Sequence, residues 1–192
     1  MFPISMITGE PVWDSLPAAK IINYPLEKAD YKPYAQARLC ISNDNFYLRM
    51  LAFEVAPEKK SIVGAALAFF PEEDGGKKYF WFSTNREGEL LCKYIDETSK
   101  TEIDISKKVA VRIFSGEDEQ GVYWSSNFAM PLSLVESLCG VHYLEPGHKI
   151  KGNFYKYCDG ERPHYGCFYD VDYTDTNPFG SRYFGDFELV EY

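Results

Sequence analysis

Apolar and polar positions along this chain follow the two-residue period of a strand far more often than the period of a helix. Residues 109–115 place Val109, Val111 and Ile113 on one face, the pattern of a half-buried strand. Residues 46–55 (FYLRMLAFEV) are apolar on both faces, as a central strand covered on two sides would be. Further runs at 62–70, 78–84, 89–95 and 121–126 are short and rich in aromatic and β-branched residues. Turn-forming clusters bound them: APEKK, PEEDGG, TNREG and SGEDEQG. NREG at 85–88 sits between two such runs and predicts a hairpin. FGDFELVEY supplies a last strand at the C-terminal end. Helical signal is confined to 131–140 (PLSLVESLCG), which opens on Pro and closes on Gly. About ten short strands with one short helix predict an all-β fold, an antiparallel β-sandwich, with residues 1–192 forming a single domain.

Composition supports a substantial core: 45% of residues are apolar, with 14 Phe, 15 Tyr and 3 Trp. The net charge of −9 argues against nucleic acid or an anionic membrane surface as a partner, because both require clustered Lys and Arg. It leaves neutral ligands, cations or another protein. No apolar run comes near the length needed to span a bilayer; GAALAFF at 64–70 is only seven residues. The first residues show no basic segment followed by a long apolar stretch, so no signal peptide is expected. The five Cys are scattered and lack a CxxC pair, which predicts buried free thiols and favours a cytoplasmic location.

The chain carries no GxSxG, P-loop, GxGxxG or HExxH motif. His142, His148 and His164 share no metal-ligand spacing with one another or with a Cys pair. The densest oxygen-rich run is DVDYTDTN at 170–177, where Asp170, Asp172 and Asp175 are weak calcium candidates. An EF-hand is excluded, since Asp175 stands where the loop needs Gly and Ser181 where it needs Glu. The competing reading is an Asx-rich loop that caps its own backbone. No cofactor is expected.

Aromatic side chains crowd the last forty or so residues, interleaved with Arg162, His164, Asn177 and Arg182. Sugars are bound by such mixtures: rings stack on the C–H faces while polar groups hydrogen-bond the hydroxyls. The stretch GNFYKYCDGERPHYG at 152–166 divides in two. Its first half alternates as a strand, with Phe154 facing one way and Tyr155 and Tyr157 the other. Gly160 and Pro163 then break it into a loop that presents Arg162, His164 and Tyr165.

The order of these pieces resembles the family 9-like carbohydrate-binding modules, in their stand-alone bacterial branch. PVWDSLPAAKI at 11–21, YFWFSTNREGELL at 79–91, KIKGNFYKYCD at 149–159 and NPFGSRYFGDFEL at 177–189 carry the resemblance, the run from Asn153 to Lys156 most specifically. It implies a β-sandwich with a non-catalytic, sugar-associated role, a terminal sugar clamped between two Trp rings, and structural calcium. The chain departs from that pattern at several points. The strand that carries the first Trp corresponds to SIVGAALAF at 61–69, which has neither Trp nor carboxylate. The second Trp falls near Phe179, a smaller ring. The usual His-Arg-Pro has become Gly180, Ser181 and Arg182, and a Trp after His-Tyr-Gly is replaced by Cys167 and Phe168. Trp81, on the neighbouring hairpin, is the candidate substitute platform.

The expected function is therefore non-catalytic carbohydrate binding. Phe179, Tyr165, Phe168 and Trp81 are expected to stack on a small saccharide or glycan end, and Arg162, His164, Asn177 and Arg182 to hydrogen-bond its hydroxyls. The rival expectation is a sandwich that has lost sugar binding and acts in protein–protein interaction. A sugar hydrolase or isomerase ranks below both, since no acid–base carboxylate pair is identifiable.

Overall fold

Thirteen strands and one α-helix form among the described residues, 1–26 and 30–192, of the computed structural model. In chain order they are β1 (Phe2–Met6), β2 (Ala19–Ile21), β3 (Ala35–Ile41), β4 (Asn45–Ala52), β5 (Ser61–Ala68), β6 (Lys78–Asn85), β7 (Leu90–Asp96), β8 (Thr101–Asp104), β9 (Ala110–Asp118), β10 (Gly121–Pro131), α1 (Leu132–Cys139), β11 (Lys149–Cys158), β12 (His164–Cys167) and β13 (Gly185–Glu191). The sheet order is β8-β7-β6-β5-β11-β13-β1-β3-β4-β10-β9, with β12 on β11 and β2 on β3. The sheet curls on itself as a sandwich. Phe46 of β4 meets Phe82 of β6 at 5.6 Å between ring centroids, and Phe82 meets Phe128 of β10 at 5.9 Å. Burying each such ring contributes roughly 1.5–3 kcal/mol.

The helix and hairpin form where the sequence predicts them. α1 follows Pro131 and ends at Gly140, whose φ of 90° few other residues adopt. Its Leu134 and Val135 drop into the core. At the 85–88 turn, the Gly88 N–H donates to the Asn85 carbonyl at 3.0 Å.

Three expectations need correction. The sheet is mixed, because β1 runs parallel to both β13 and β3. Pro3 of β1 is tolerated because the β3 pairing begins only at Ser5. Second, β5 and β6 are buried on both faces, whereas β4 alternates: Phe46, Leu48, Met50 and Ala52 are buried, and Tyr47, Arg49 and Leu51 are half-buried. Third, His164 and Tyr165 begin β12, which folds back on β11 with Tyr157 opposite Tyr165. The loop itself spans 159–163.

A second cluster covers the opposite face of β5, β6 and β11: Ala66, Ala68, Tyr79, Trp81, Tyr155, Cys167 and Val171 are buried there. The chain between β12 and β13 folds over this face and brings Tyr173, Phe179, Tyr183 and Phe184 against it. All five cysteines are free.

Candidate functional site

The site begins with small residues. Gly64 and Ala66 of β5 point to the outer face beside β6, in a row with Ser83 and Trp81 respectively. The Trp81 indole fills the space they leave: a Cβ on Gly64 would stand 3.2 Å from its Cη2 and Cζ2 atoms. The indole N–H donates to Ser83 Oγ at 3.0 Å, which fixes the ring. Phe179 arrives from the β12–β13 connection, 5.2 Å from Trp81, 5.0 Å from Tyr155 and 5.1 Å from Tyr157 between centroids.

Polar contacts hold that connection in place. Asn153, fully buried on β11, donates from Nδ2 to the carbonyls of Tyr169 and Tyr183, each at 3.0 Å. Its Oδ1 accepts from the Tyr169 N–H at 2.9 Å, so one side chain ties both ends of the loop. Gly185 allows the loop to close, since a Cβ there would strike the Tyr169 ring. At the far side Glu97 accepts from the Ser181 N–H at 3.0 Å, from Ser181 Oγ at 2.5 Å and from Tyr79 Oη at 3.3 Å.

Between this loop and β6–β8 lies a cavity of about 650 Å³, floored by Trp81 and Tyr79 and walled by Phe179, Tyr157 and Asn177. That volume falls within the roughly 300–1,000 Å³ usual for small-ligand sites. Leu91, Lys93, Lys100 and Glu102 complete the rim. Lys93 pairs with Glu102 at 2.5 Å. Asp96 accepts from the backbone N–H groups of Thr98 and Ser99, and the Ser99 bond foremost holds its carboxyl below the usual range. Burial pushes the Tyr157 hydroxyl up to about 12 and raises Tyr79 as well, so both remain neutral donors at ordinary pH.

Of the residues singled out from the sequence, Trp81, Phe179 and Asn177 come together here. The others go elsewhere. Tyr165 packs on Tyr173 at 5.4 Å and its hydroxyl donates to Asp159. Phe168 lies in the core against Phe2 and Phe154. Arg162 stacks on Tyr31, 4.7 Å from its centroid, and Arg182 pairs with Asp175 at 2.8 Å. Tyr79, Lys93 and Glu97 were missed. Tyr79 was open to discovery, since it lies two residues before Trp81 on the same strand face. Lys93 follows from the hairpin register, which sets it opposite Trp81.

His164 belongs to a separate buried cluster. Glu54 accepts from Ser61 Oγ at 2.9 Å, from the Trp124 indole N–H at 2.9 Å, and pairs with Lys156 at 3.3 Å. Lys156 Nζ donates to His164 Nε2 at 2.8 Å, leaving Nδ1–H to donate to the Arg162 carbonyl. Burial, then the Lys156 charge, pulls His164 down to about 4, so the ring is neutral. Burial also lowers Lys156 to about 8, against the opposing pull of Glu54.

Among the described residues, no group of three or more His, Cys, Asp or Glu is placed to hold a metal ion. Asp172 accepts from the Thr174 N–H and hydroxyl, and Asp175 from Tyr183 Oη, as in a loop that caps itself. Asp170 joins neither set of contacts.

No protein-family model and no curated protein matches this sequence. Solved structures do. A protein from Bacteroides uniformis described as a candidate carbohydrate-binding protein superposes with a TM-score of 0.74 at 17% identity, over 98% of each chain. A family 9 carbohydrate-binding module from Caldicellulosiruptor kristjanssonii in complex with glucose gives 0.62 at 11% identity, over 100% of this chain and 96% of that one. A family 9 module from the same organism, in complex with cellotriose, gives 0.60 at 11% identity, over 99% and 94%. With the strand order and the covered outer face described above, these likenesses show that the chain has the fold of the family 9 carbohydrate-binding modules.

Proposed function

We propose that this protein is a non-catalytic carbohydrate-binding module that takes a small saccharide or glycan end in the cavity lined by Trp81 and Phe179. The observation that carries the reading is the convergence of these two rings on an open, polar-rimmed cavity of about 650 Å³. Trp81 comes from β6 and stands in for a ring that β5 lacks, while Phe179, packed on it at 5.2 Å, extends the same aromatic wall. Lys100, Asn177 and the Glu102–Lys93 pair then face the hydroxyls. Support also comes from the fold, whose solved relatives include modules in complex with glucose and with cellotriose.

The cavity is poorly equipped for hydrolysis. A glycosidase needs one desolvated carboxyl to donate a proton and a second to act as base or nucleophile. Here Asp96 caps its turn, Glu97 anchors the Ser181 loop and Glu102 holds Lys93, so each carboxylate is already committed to a protein donor.

Calorimetric titration with glucose, cellobiose, cellotriose and a panel of other neutral oligosaccharides tests the reading. The protein binds at least one of them, and Phe179→Ala weakens that binding by about tenfold or more, as loss of a central aromatic anchor does. Phe179→Trp, which enlarges the wall, tightens it. Failure of the wild-type protein to bind any member of the panel would overturn the proposal.

A further inference from the structure

The outer face of the other sandwich layer carries an arrangement that the first cavity leaves unused. Strand register places Arg38, Arg49, Asn127 and Arg112 in one row across β3, β4, β10 and β9. Three arginines in one row are unexpected on a chain with a net charge of −9. The first two are occupied. Arg38 donates to the carbonyls of Trp13 and Leu16, at 2.8 and 2.7 Å. Arg49 lies under the Trp13 ring at 4.6 Å, and its Nε donates to Asn127 Oδ1 at 2.9 Å. Asp14 lies close enough to favour the Arg49 charge. These contacts hold the N-terminal segment against the sheet and stand Trp13 up as a wall.

Arg112 is different. It is exposed on edge strand β9 and, among the described residues, has no carboxylate or carbonyl partner. The Asn127 amide, its Oδ1 already taken by Arg49, likewise has no acceptor for its N–H₂ group among those residues. Both face a groove of about 280 Å³ bounded by Trp13, Tyr47 and Glu10. Ala129 and Ala110, in one row with Tyr47, keep its floor low. Glu10 accepts from Tyr47 Oη at 3.2 Å and faces the groove from the opposite end.

The two cavities therefore differ in chemistry. The first is lined by lysines and by carboxylates already engaged by protein donors, while the second pairs aromatic walls with unspent donors, one of them a guanidinium. A guanidinium without a partner matches a carboxylate. We propose that this groove is a second saccharide site, selective for a sugar that carries a carboxylate: the ring lies on Trp13 and Tyr47, the carboxylate meets Arg112 and the Asn127 amide, and Glu10 accepts from a hydroxyl.

The test is calorimetric titration of cellobiouronic acid and of cellobiose into the wild-type protein, Arg112→Gln and Phe179→Ala, with melting curves to confirm that each variant folds. Arg112 is exposed at an edge, so its replacement leaves the core intact. The wild type binds the uronate, and Arg112→Gln weakens it by about tenfold or more, the worth of one charged hydrogen bond. Phe179→Ala, on the other layer, leaves uronate affinity within about twofold, as for distant independent sites. The proposal is overturned if the wild type fails to bind the uronate, if Arg112→Gln binds it equally well, or if Phe179→Ala abolishes its binding. Uronate binding through Arg112 without any neutral-sugar binding would refute the proposed function of the first cavity alone. The converse result would refute this second site alone.

Discussion

The Trp81 indole lies over Gly64 because nothing larger occupies that position, and a Cβ would force the ring to shift by a few tenths of an ångström. The absence of a ring on β5 and the presence of one on β6 are thus a single feature. β5 (SIVGAALA) carries no ring, and the pairing of Ala66 with Trp81 shows which ring covers its outer face. His164 was less legible. Its neighbours in sequence are polar and aromatic, as at a ligand site, yet its partners Lys156 and Glu54 reach it through strand pairing and packing. A neutral buried His makes a definite prediction. Its pKa in the folded protein, about 4, lies below the ordinary value of 6.5, so the unfolded chain binds the extra proton first. The stability it contributes is complete above pH 6.5 and is lost as pH falls towards 4, by up to about 3 kcal/mol. Urea denaturation at pH 7, 6 and 5 checks this. The wild type loses stability over a range where the depressed carboxylates remain ionised, and His164→Gln flattens the slope.

At the scale of elements, the site depends on a long connection that has little regular structure. The segment between β12 and β13 has a short turn at Ser181–Tyr183 as its only helical piece, and sequence pattern alone gave no reason for it to lie on the outer face of β5, β6 and β11. Asn153 supplies that reason by bonding backbone groups of Tyr169 and Tyr183, thirty positions away in the latter case. This gives the most specific stretch of the sequence, Asn153 to Lys156, a physical role: Asn153 holds the loop, Phe154 the core, Tyr155 the aromatic cluster and Lys156 the buried charge network. Asn153→Ala removes the partner of four backbone groups, three of them in the loop and the fourth the Phe154 N–H, at a cost of about 2–4 kcal/mol. Hydrogen exchange should locate the effect: amides of 169–184 lose protection while those of β4 and β10 keep theirs. Uniform loss across the chain would mean that Asn153 supports the whole fold and not the loop.

For the molecule as a whole, alternation and turn chemistry made the sandwich readable, including its helix and its β6–β7 hairpin. The parallel placement of β1 was not readable, because register between the two ends of a chain depends on contacts that no local pattern encodes. The same limit explains why the meeting of Trp81 and Phe179, 98 positions apart, could not be read from local pattern. The mixed sheet sets two aromatic grooves on the outer faces of its two layers, one rimmed by carboxylates and lysines and one by Arg112 and Glu10. The chain holds 3 tryptophans, and they report on distinct places: Trp81 on the first cavity, Trp13 on the second, and Trp124 on the buried Glu54 cluster. Their indole N–H resonances, followed by ¹H–¹⁵N NMR during titration with a neutral oligosaccharide from the panel, read the central claim directly. The account predicts that the Trp81 signal moves with saturating dose dependence while those of Trp13 and Trp124 stay in place. A bound neutral sugar that leaves Trp81 unmoved, or shifts Trp13 instead, would contradict it.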